Sequence, residues 1–323
     1  MAEQTQLARQ LEEDLWVLDT MFQGKAGVIA SYLLTGPAGL ALVDVGSAAS
    51  VETLLAGIRA SGHEPAEVER LLITHVHLDH AGATGPLLRH MPRAQVYVHS
   101  IGAPHLIDPS KLIKSATRIY GDRMETLWGQ MEPVPAERVH ALEDGDTVQA
   151  GERTFEAVYT PGHAIHHIAF ADRRRAAIFP GDVAGVRLEG VDYVRPPTPP
   201  PDLDLELWEA SIERLSALRP RALYLPHFGP VYNIPDHLAQ LRERLWGWGD
   251  LMRSGIRAGK DDQTLAADLA AASDPDVARA VVSRAPGAVE DAVLRYEIAT
   301  NYLMSAQGYQ RYYTKLHPEA LAE

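Results

Sequence analysis

The sequence predicts an α/β protein: a sandwich of strands and helices over residues 1–230, followed by a helical region over 231–323. Three observations carry this reading. Short apolar runs punctuated by glycine and proline alternate with stretches of helical periodicity through the first part. Histidines and aspartates recur at turns just after the ends of those runs. From Asp236 onward the periodicity is helical throughout.

Asp14–Phe22, Val28–Thr35 and Leu40–Asp44 read as successive strands, with Gly24, Gly36, Pro37 and Gly39 supplying the turns between them. Ala49–Ser61 reads as a helix with Leu54, Leu55 and Ile58 on one face. Leu71–Thr74 is a short buried strand, Ala81–His90 a helix stopped by Pro92, and Gln95–Val98 the next strand. This alternation makes one αβ half of a sandwich. Ser110–Met131 is a longer helical insert with Leu112, Ile113, Ile119, Tyr120, Met124, Leu127 and Trp128 at three- and four-residue spacing. Such a face either packs on the core or lines a pocket.

The second half reads as strands at Arg138–Leu142, Asp146–Val148, Phe155–Tyr159, His167–Ala171, Ala176–Phe179 and Leu223–Pro226, with a helix at Leu205–Leu218. Arg195–Asp202 holds Pro196, Pro197, Pro199, Pro200 and Pro201. That run is stiff and unable to join a central sheet, so it is expected to cross the surface, with a PxxP partner motif as the sharper alternative. Asp236–Gly255, Asp262–Ala272, Asp276–Ser283 and Ala288–Gln307 are expected helices. They either cover a site or form a dimer interface.

The densest chemistry is His75-Val76-His77-Leu78-Asp79-His80, an HxHxDH cluster directly after the strand Leu71–Thr74. A strand end is rigid and holds its ligands in fixed positions. His163 follows the strand Phe155–Tyr159 through Thr160-Pro161-Gly162, Asp182 follows Ala176–Phe179 through Pro180-Gly181, and His227 follows Leu223–Pro226. Imidazole and carboxylate suit divalent ions such as zinc, iron or manganese. The donors are too many for one ion with an open position and suit two ions sharing a carboxylate.

Leu42-Val43-Asp44-Val45-Gly46, the HxHxDH cluster, Pro161-Gly162-His163, Gly181-Asp182 and Pro226-His227-Phe228-Gly229 occur in this order within residues 12–230. In these pieces the chain resembles the metallo-β-lactamase-fold superfamily, the glyoxalase II-like hydrolases. The resemblance implies a four-layer αβ/βα sandwich with, here, a C-terminal helical extension. It implies that His75, His77 and His163 hold one divalent ion, that Asp79, His80 and His227 hold a second, and that Asp182 bridges both. Zinc is the expected metal, with iron or manganese fitting the same donors. Asp79 would also relay a proton, and Asp44 would orient the metal loop by hydrogen bonding, a plain turn-capping role being its alternative. Helical inserts such as 110–131 often cap the site in this superfamily, which makes Tyr120, Met124 and Trp128 candidate pocket residues, and His166 is a further candidate because it follows His163 so closely. His167, which shares that closeness to His163, and His99, which ends a strand, are also candidates for facing the site, plain structural roles being their alternative.

Two ions sharing a water lower its pKa from ~15.7 toward ~7, giving a hydroxide that attacks a carbonyl carbon or a phosphorus. The function implied is hydrolysis of a small ester, thioester or lactone, nearest the hydroxyacylglutathione hydrolase-like branch. The basic residues with which that branch holds glutathione have no match here. A persulfide dioxygenase with one iron on two histidines and an aspartate is the redox alternative. A small-molecule phosphodiesterase or phosphotriesterase would use the same hydroxide.

Composition narrows the partners. A net charge of −13 makes a poor polyanion binder, and Arg173-Arg174-Arg175 reads as a solvated hairpin tip, so nucleic acid is not expected. The chain has no cysteine, which excludes disulfides and a thiolate nucleophile. No GxSxG, GxxxxGK[ST] or GxGxxG pattern competes with the metal cluster. No apolar run reaches the ~18–20 residues of a membrane span. Met1–Asp14 lacks the basic start and apolar core of a secretion signal. A cytoplasmic enzyme with a small-molecule substrate and no membrane partner is therefore expected, and a homodimer is the base-rate oligomer.

Overall fold

The computed structural model describes residues 6–322, so Met1–Thr5 of the acidic N-terminal segment lie outside the described residues. The chain divides into two compact units: Met1–Tyr159 with His166–Gly181, and Thr160–Ile165 with Asp182–Glu323.

In the first unit, β1 (Ala8–Glu12), β2 (Leu15–Asp19), β3 (Ala30–Leu34), β4 (Leu40–Val43), β5 (Val68–Leu72), β6 (Gln95–His99) and β7 (Val139–Leu142) form a sheet in sequence order. Pairing is antiparallel from β1 to β4 and parallel from β4 to β7. Parallel neighbours need crossovers. These are α1 (Val51–Ala60), the one-turn α2 (Leu78–Ala81) and α3 (Thr84–Leu87), and then α4 (Ala103–Ile107), α5 (Ser110–Tyr120) and α6 (Met124–Trp128). β8 (Thr147–Ala150), β9 (Arg153–Tyr159), β10 (Ile168–Asp172) and β11 (Ala177–Phe179) follow as an antiparallel meander. Tyr32 on β3 meets Phe179 on β11 edge-on at 5.2 Å, so the first sheet and the meander face each other through aromatic rings. Leu54, Leu55 and Ile58 of α1 are buried with Leu18, Leu33 and Leu42, as their spacing predicts.

Three local expectations change here. β1 falls within Met1–Asp14, where no strand is expected from sequence; just Ala8 of its five residues is buried, so no apolar alternation marks it. The insert Ser110–Met131 is two helices rather than one, interrupted by a turn at Gly121–Arg123 and ended at Gly129. Gly129 has φ +71°, and a Cβ there would stand 2.5 Å from the Ala49 nitrogen, so the insert closes on the backbone before α1 only with glycine. The arginine run is the exposed hairpin tip expected at Arg173 and Arg174, but Arg175 turns inward. Arg173 pairs with Glu156 at 2.8 Å, and Arg175 reaches Asp14 at 2.6 Å beside the wholly buried Arg153. Burial works against the Asp14 carboxylate, but hydrogen bonds from Arg153 and Arg175 outweigh it and hold the group below its usual pKa.

The second unit contains α7 (Leu205–Ala217), the antiparallel pair β12 (Ala222–Leu225) and β13 (Gly229–Val231), α8 (Ile234–Arg257), α9 (Asp262–Ala280), α10 (Ala288–Ala299) and α11 (Tyr302–Arg311). The two helices expected over 262–283 are one, continuous through Pro275. The single helix expected over 288–307 is two, divided where the Asn301 side chain accepts from Met304 N at 3.1 Å and caps α11. The proline run departs most from expectation. Tyr193 to Thr198 are buried rather than on the surface, and the Arg195 guanidinium lies inside the unit between the rings of Tyr296 and Tyr302. Buried in this way, the run offers no surface PxxP ligand. Among the described residues no helix is long and apolar enough to cross a membrane.

One buried histidine makes stability depend on pH. His237 on α8 donates from Nε2 to the Ala184 carbonyl at 2.7 Å, and burial pushes its imidazole down from 6.5 to about 4. The unfolded chain therefore takes up this proton first. The stability contributed is complete above pH 6.5 and is lost as pH falls toward 4. Over that window the loss amounts to roughly 3 kcal/mol. Urea unfolding at pH 7.5 and 4.5 should show this loss in the native protein. The His237→Gln variant, whose amide keeps the donor without titrating, should lose correspondingly less; equal losses would remove His237 as the cause.

Candidate metal centre

In the first unit the metal loop hangs from two neighbouring strand ends. Asp44 leaves β4 with φ +50°, a conformation aspartate tolerates better than most residues. Its backbone N–H donates to Leu72 O at 2.9 Å, which ties it to the end of β5. The Asp44 carboxylate accepts from Thr74 N at 2.8 Å, from Thr74 Oγ1 at 2.8 Å and from His80 Nδ1 at 2.9 Å. Because Nδ1 of His80 faces a carboxylate, it carries the proton, and Nε2 keeps its lone pair. Thr74 gives its hydroxyl proton to Asp44 and so accepts from His75 Nδ1 at 3.1 Å. That leaves the lone pair of His75 on Nε2, 3.0 Å from His77 Nδ1. Asp79 Oδ2 lies 3.5 Å from His80 Nε2. Within this unit, then, three imidazoles and a carboxylate from one short loop gather their ligand atoms, with His75 and His80 wholly buried.

His166 and His167 pack on the same loop. Val76 N donates to His166 Nδ1 at 3.3 Å, and the His166 ring lies parallel to His75 at 6.2 Å and edge-on to His77 at 5.6 Å. The His167 ring stands 5.0 Å from His75. Tyr120, Met124 and Trp128 are half-buried and packed against the unit's apolar core, Trp128 touching the rings of Phe22 at 5.1 Å and Tyr120 at 5.2 Å. Burial, then the charge of Asp79, push the Tyr120 phenol up, so it stays protonated at neutral pH. His99 stacks flat on Tyr159 at 4.5 Å, and burial pushes its pKa down.

In the second unit the donors are His163, Asp182 and His227. The turn before His163 is locked from α7: Asp204 N donates to Gly162 O at 2.9 Å and Ser211 Oγ to Pro161 O at 2.6 Å. Gly162 has φ +126°, and a Cβ there would come within 2.3 Å of the Trp208 backbone. Trp208 sets its ring edge-on to His163 at 5.5 Å and donates from Nε1 to Val183 O at 2.8 Å, steadying the residue after Asp182. His227 leaves β12 with its carbonyl accepting from Arg187 N at 2.7 Å.

The donor chemistry of this second set fits a cation. His163 Nδ1 donates to Pro197 O at 2.8 Å, so its Nε2 presents a lone pair, and that atom lies 3.4 Å from Asp182 Oδ2. The other oxygen, Oδ1, lies 3.4 Å from His227 Nε2. A lone pair facing a carboxylate oxygen is repulsive until a positive charge sits between them. Asp182 thus offers one oxygen to each imidazole, the arrangement of a bridging carboxylate. Thr74 and the Pro197 carbonyl were not singled out from sequence. Thr74 adjoins the HxHxDH cluster, a usable signal, whereas a main-chain carbonyl leaves none.

Comparison with known proteins places these features. The family model described as metallo-beta-lactamase superfamily matches residues 24–227. The chain is 29% identical over 180 residues to a metallo-beta-lactamase fold-containing protein of Sulfurisphaera tokodaii, covering 54% of this chain and 67% of that one. It is 26% identical over 269 residues to an atrochrysone carboxyl ACP thioesterase of Aspergillus fumigatus, covering 81% and 70%. A hydroxyacylglutathione hydrolase of Francisella tularensis subsp. novicida is 28% identical over 132 residues, covering 39% of this chain and 40% of that one. Among solved structures, a metallo-beta-lactamase family protein of Thermus thermophilus aligns with TM-score 0.67 at 19% identity over 95% of both chains, a likeness of fold.

Proposed function

The chain belongs to the metallo-β-lactamase superfamily and is a metal-dependent hydrolase, and on that premise we propose that it uses two divalent ions, zinc foremost, to hydrolyse a small-molecule thioester, ester or lactone. The observation that carries the reading is Asp182 offering its two oxygens to His163 and His227 at 3.4 Å each. In this reading His75, His77 and His163 serve one ion, Asp79, His80 and His227 the other, and Asp182 both. Residues 1–230 make the catalytic domain.

Bound ions would supply an activated water and polarise the attacked carbonyl. The chain's own groups do the rest. Asp44 and the Pro197 carbonyl keep protons on Nδ1 of His80 and His163, so that both present Nε2. Asp79, beside His80, takes the proton of the attacking water on its carboxylate. Tyr120, held protonated by burial and by Asp79, is a hydrogen-bond donor for a substrate oxygen. Met124, Trp128 and His166 complete the pocket wall.

Thioesters stand first among the substrates because the alignment with a relative named as an ACP thioesterase extends over 81% of this chain. Relatives named as hydroxyacylglutathione hydrolases cover only 39% and 40% of it, and that branch supplies the general chemistry. A cytoplasmic location and a homodimer belong to the proposal as well, the cysteine-free composition agreeing with a reducing compartment.

The test is elemental analysis of protein purified without chelator, followed by a screen of thioesters, esters and lactones. About two ions per chain are expected, with hydrolysis abolished by chelation and restored by zinc. One iron per chain, with oxygen consumed in the presence of a persulfide, would replace this reading by a dioxygenase.

A further inference from the structure

Pro197 provides the carbonyl that takes the Nδ1 proton of His163, and the segment carrying it is gripped by the C-terminal helices of its own unit. Arg195, wholly buried, exchanges both backbone hydrogen bonds with Val186 at 2.8 Å. Its guanidinium lies 4.2 Å from the centre of the Tyr302 ring and 4.9 Å from that of Tyr296. It donates to Thr300 O at 3.2 Å and to the Tyr302 hydroxyl, with the Asp274 and Glu297 carboxylates at 3.9 and 4.0 Å. The Tyr302 hydroxyl donates onward to Asp274 at 2.6 Å. Every one of these partners of the guanidinium comes from α9, α10, α11 or Thr300 between the last two. A few residues on, Gly308 of α11 approaches so closely that a Cβ would stand 1.9 Å from Thr198 O.

A buried guanidinium is costly to desolvate, and a helix gains nothing locally from glycine in its interior. Both features sit on the strap that ends in the His163 hydrogen bond. We propose that α9–α11 clamp the Arg195–Pro199 strap, and that Arg195, Tyr302 and Gly308 are positioning residues for His163. Through the strap they hold the Pro197 carbonyl where it keeps the proton on Nδ1 and aims Nε2 at Asp182. This inference rests on the metal-site reading above and gives the helical extension a part in it. The coupling is steep, because moving the carbonyl by about 1 Å takes a 2.8 Å hydrogen bond past the distance at which it holds. Loss of such a partner lowers metal affinity about 10–100-fold.

Full-length Gly308→Ala, Tyr302→Phe and Leu265→Ala test it. Leu265, near the start of α9 and well before Asp274, is buried against Gly255 of α8, so its truncation destabilises the unit while leaving every strap contact named above in place. Zinc affinity is read by competition with a chromophoric chelator, and the His163 tautomer by imidazole nitrogen shifts in metal-free protein. Gly308→Ala should weaken one of the zinc ions by ~10–100-fold and mix the His163 tautomers. Tyr302→Phe, which keeps the ring over Arg195 and so keeps the fold, should shift both readouts the same way by less. Leu265→Ala should lower the Tm and leave both unchanged. Affinities and tautomers unaltered in the first two variants, or altered equally in Leu265→Ala, would overturn the clamp. Should Gly308→Ala not fold, Tyr302→Phe decides. Should the native chain bind no zinc, the metal reading fails, while the tautomer readout still judges the clamp.

Discussion

Asp182→Ala is expected to release both ions and to leave hydrolysis ~10⁴-fold or more below that of the native chain, since losing several kcal/mol of metal-derived stabilisation is worth that much in rate. Asp182 places one oxygen against His163 Nε2 and the other against His227 Nε2, each at 3.4 Å. On the two-ion proposal, removing it strips the negative charge that would let cations share the site, and alanine supplies no replacement ligand. Asp182→Asn is the finer probe. One amide oxygen still accepts, but the other side presents N–H groups to an imidazole lone pair, so one ion should be lost before the other. Elemental analysis together with kcat/KM reads both variants. Two ions retained in Asp182→Ala would end the bridging assignment.

Asp44 is the second position where a single atom type decides the outcome. Its carboxylate accepts from Thr74 N, Thr74 Oγ1 and His80 Nδ1, all buried. Asp44→Ala strands these donors and puts alanine at φ +50°. The cost should be roughly 5 kcal/mol, from several unsatisfied groups at 1–3 kcal/mol each together with backbone strain. That approaches the whole stability of many domains, and urea unfolding will show it. Asp44→Asn separates stability from ligation, because asparagine tolerates the backbone and still accepts from Thr74. Its amide N–H groups oppose the Nδ1–H of His80, which moves the proton to Nε2 and removes the lone pair meant for metal. Zinc affinity should fall about 10–100-fold with a far smaller loss of Tm. Unchanged affinity would reduce Asp44 to a turn residue.

Much of the frame around the candidate site was legible because it follows local rules. Apolar runs cut by glycine and proline mark β4, β5, β9, β11 and β12, and Asp44, the His75–His80 cluster, His163, Asp182 and His227 each follow one of those strands. Strand alternation and turn chemistry act over a few residues, so a single sequence displays them. β1 escaped because an edge strand with one buried residue has no pattern to show. The break of the insert into α5 and α6 depends on how closely Gly129 approaches Ala48 and Ala49, some eighty positions earlier in the chain.

The proline strap shows the same limit most clearly. Composition alone makes Arg195–Asp202 stiff and extended, and that much of the expectation was sound. Whether a stiff segment lies in water or in the core depends on what waits to receive it. Here the receivers are Tyr296, Tyr302, Asp274 and Gly308, about eighty to over a hundred residues further on. The sequence by itself determined the fold class, the strand ends and the donor types placed on them, because each arises from neighbours along the chain. The burial of Arg195, the hydrogen bond that holds His163 and the division of the C-terminal helices were decided only by the tertiary structure. There the free energy comes from contacts between residues that local chain chemistry does not bring together.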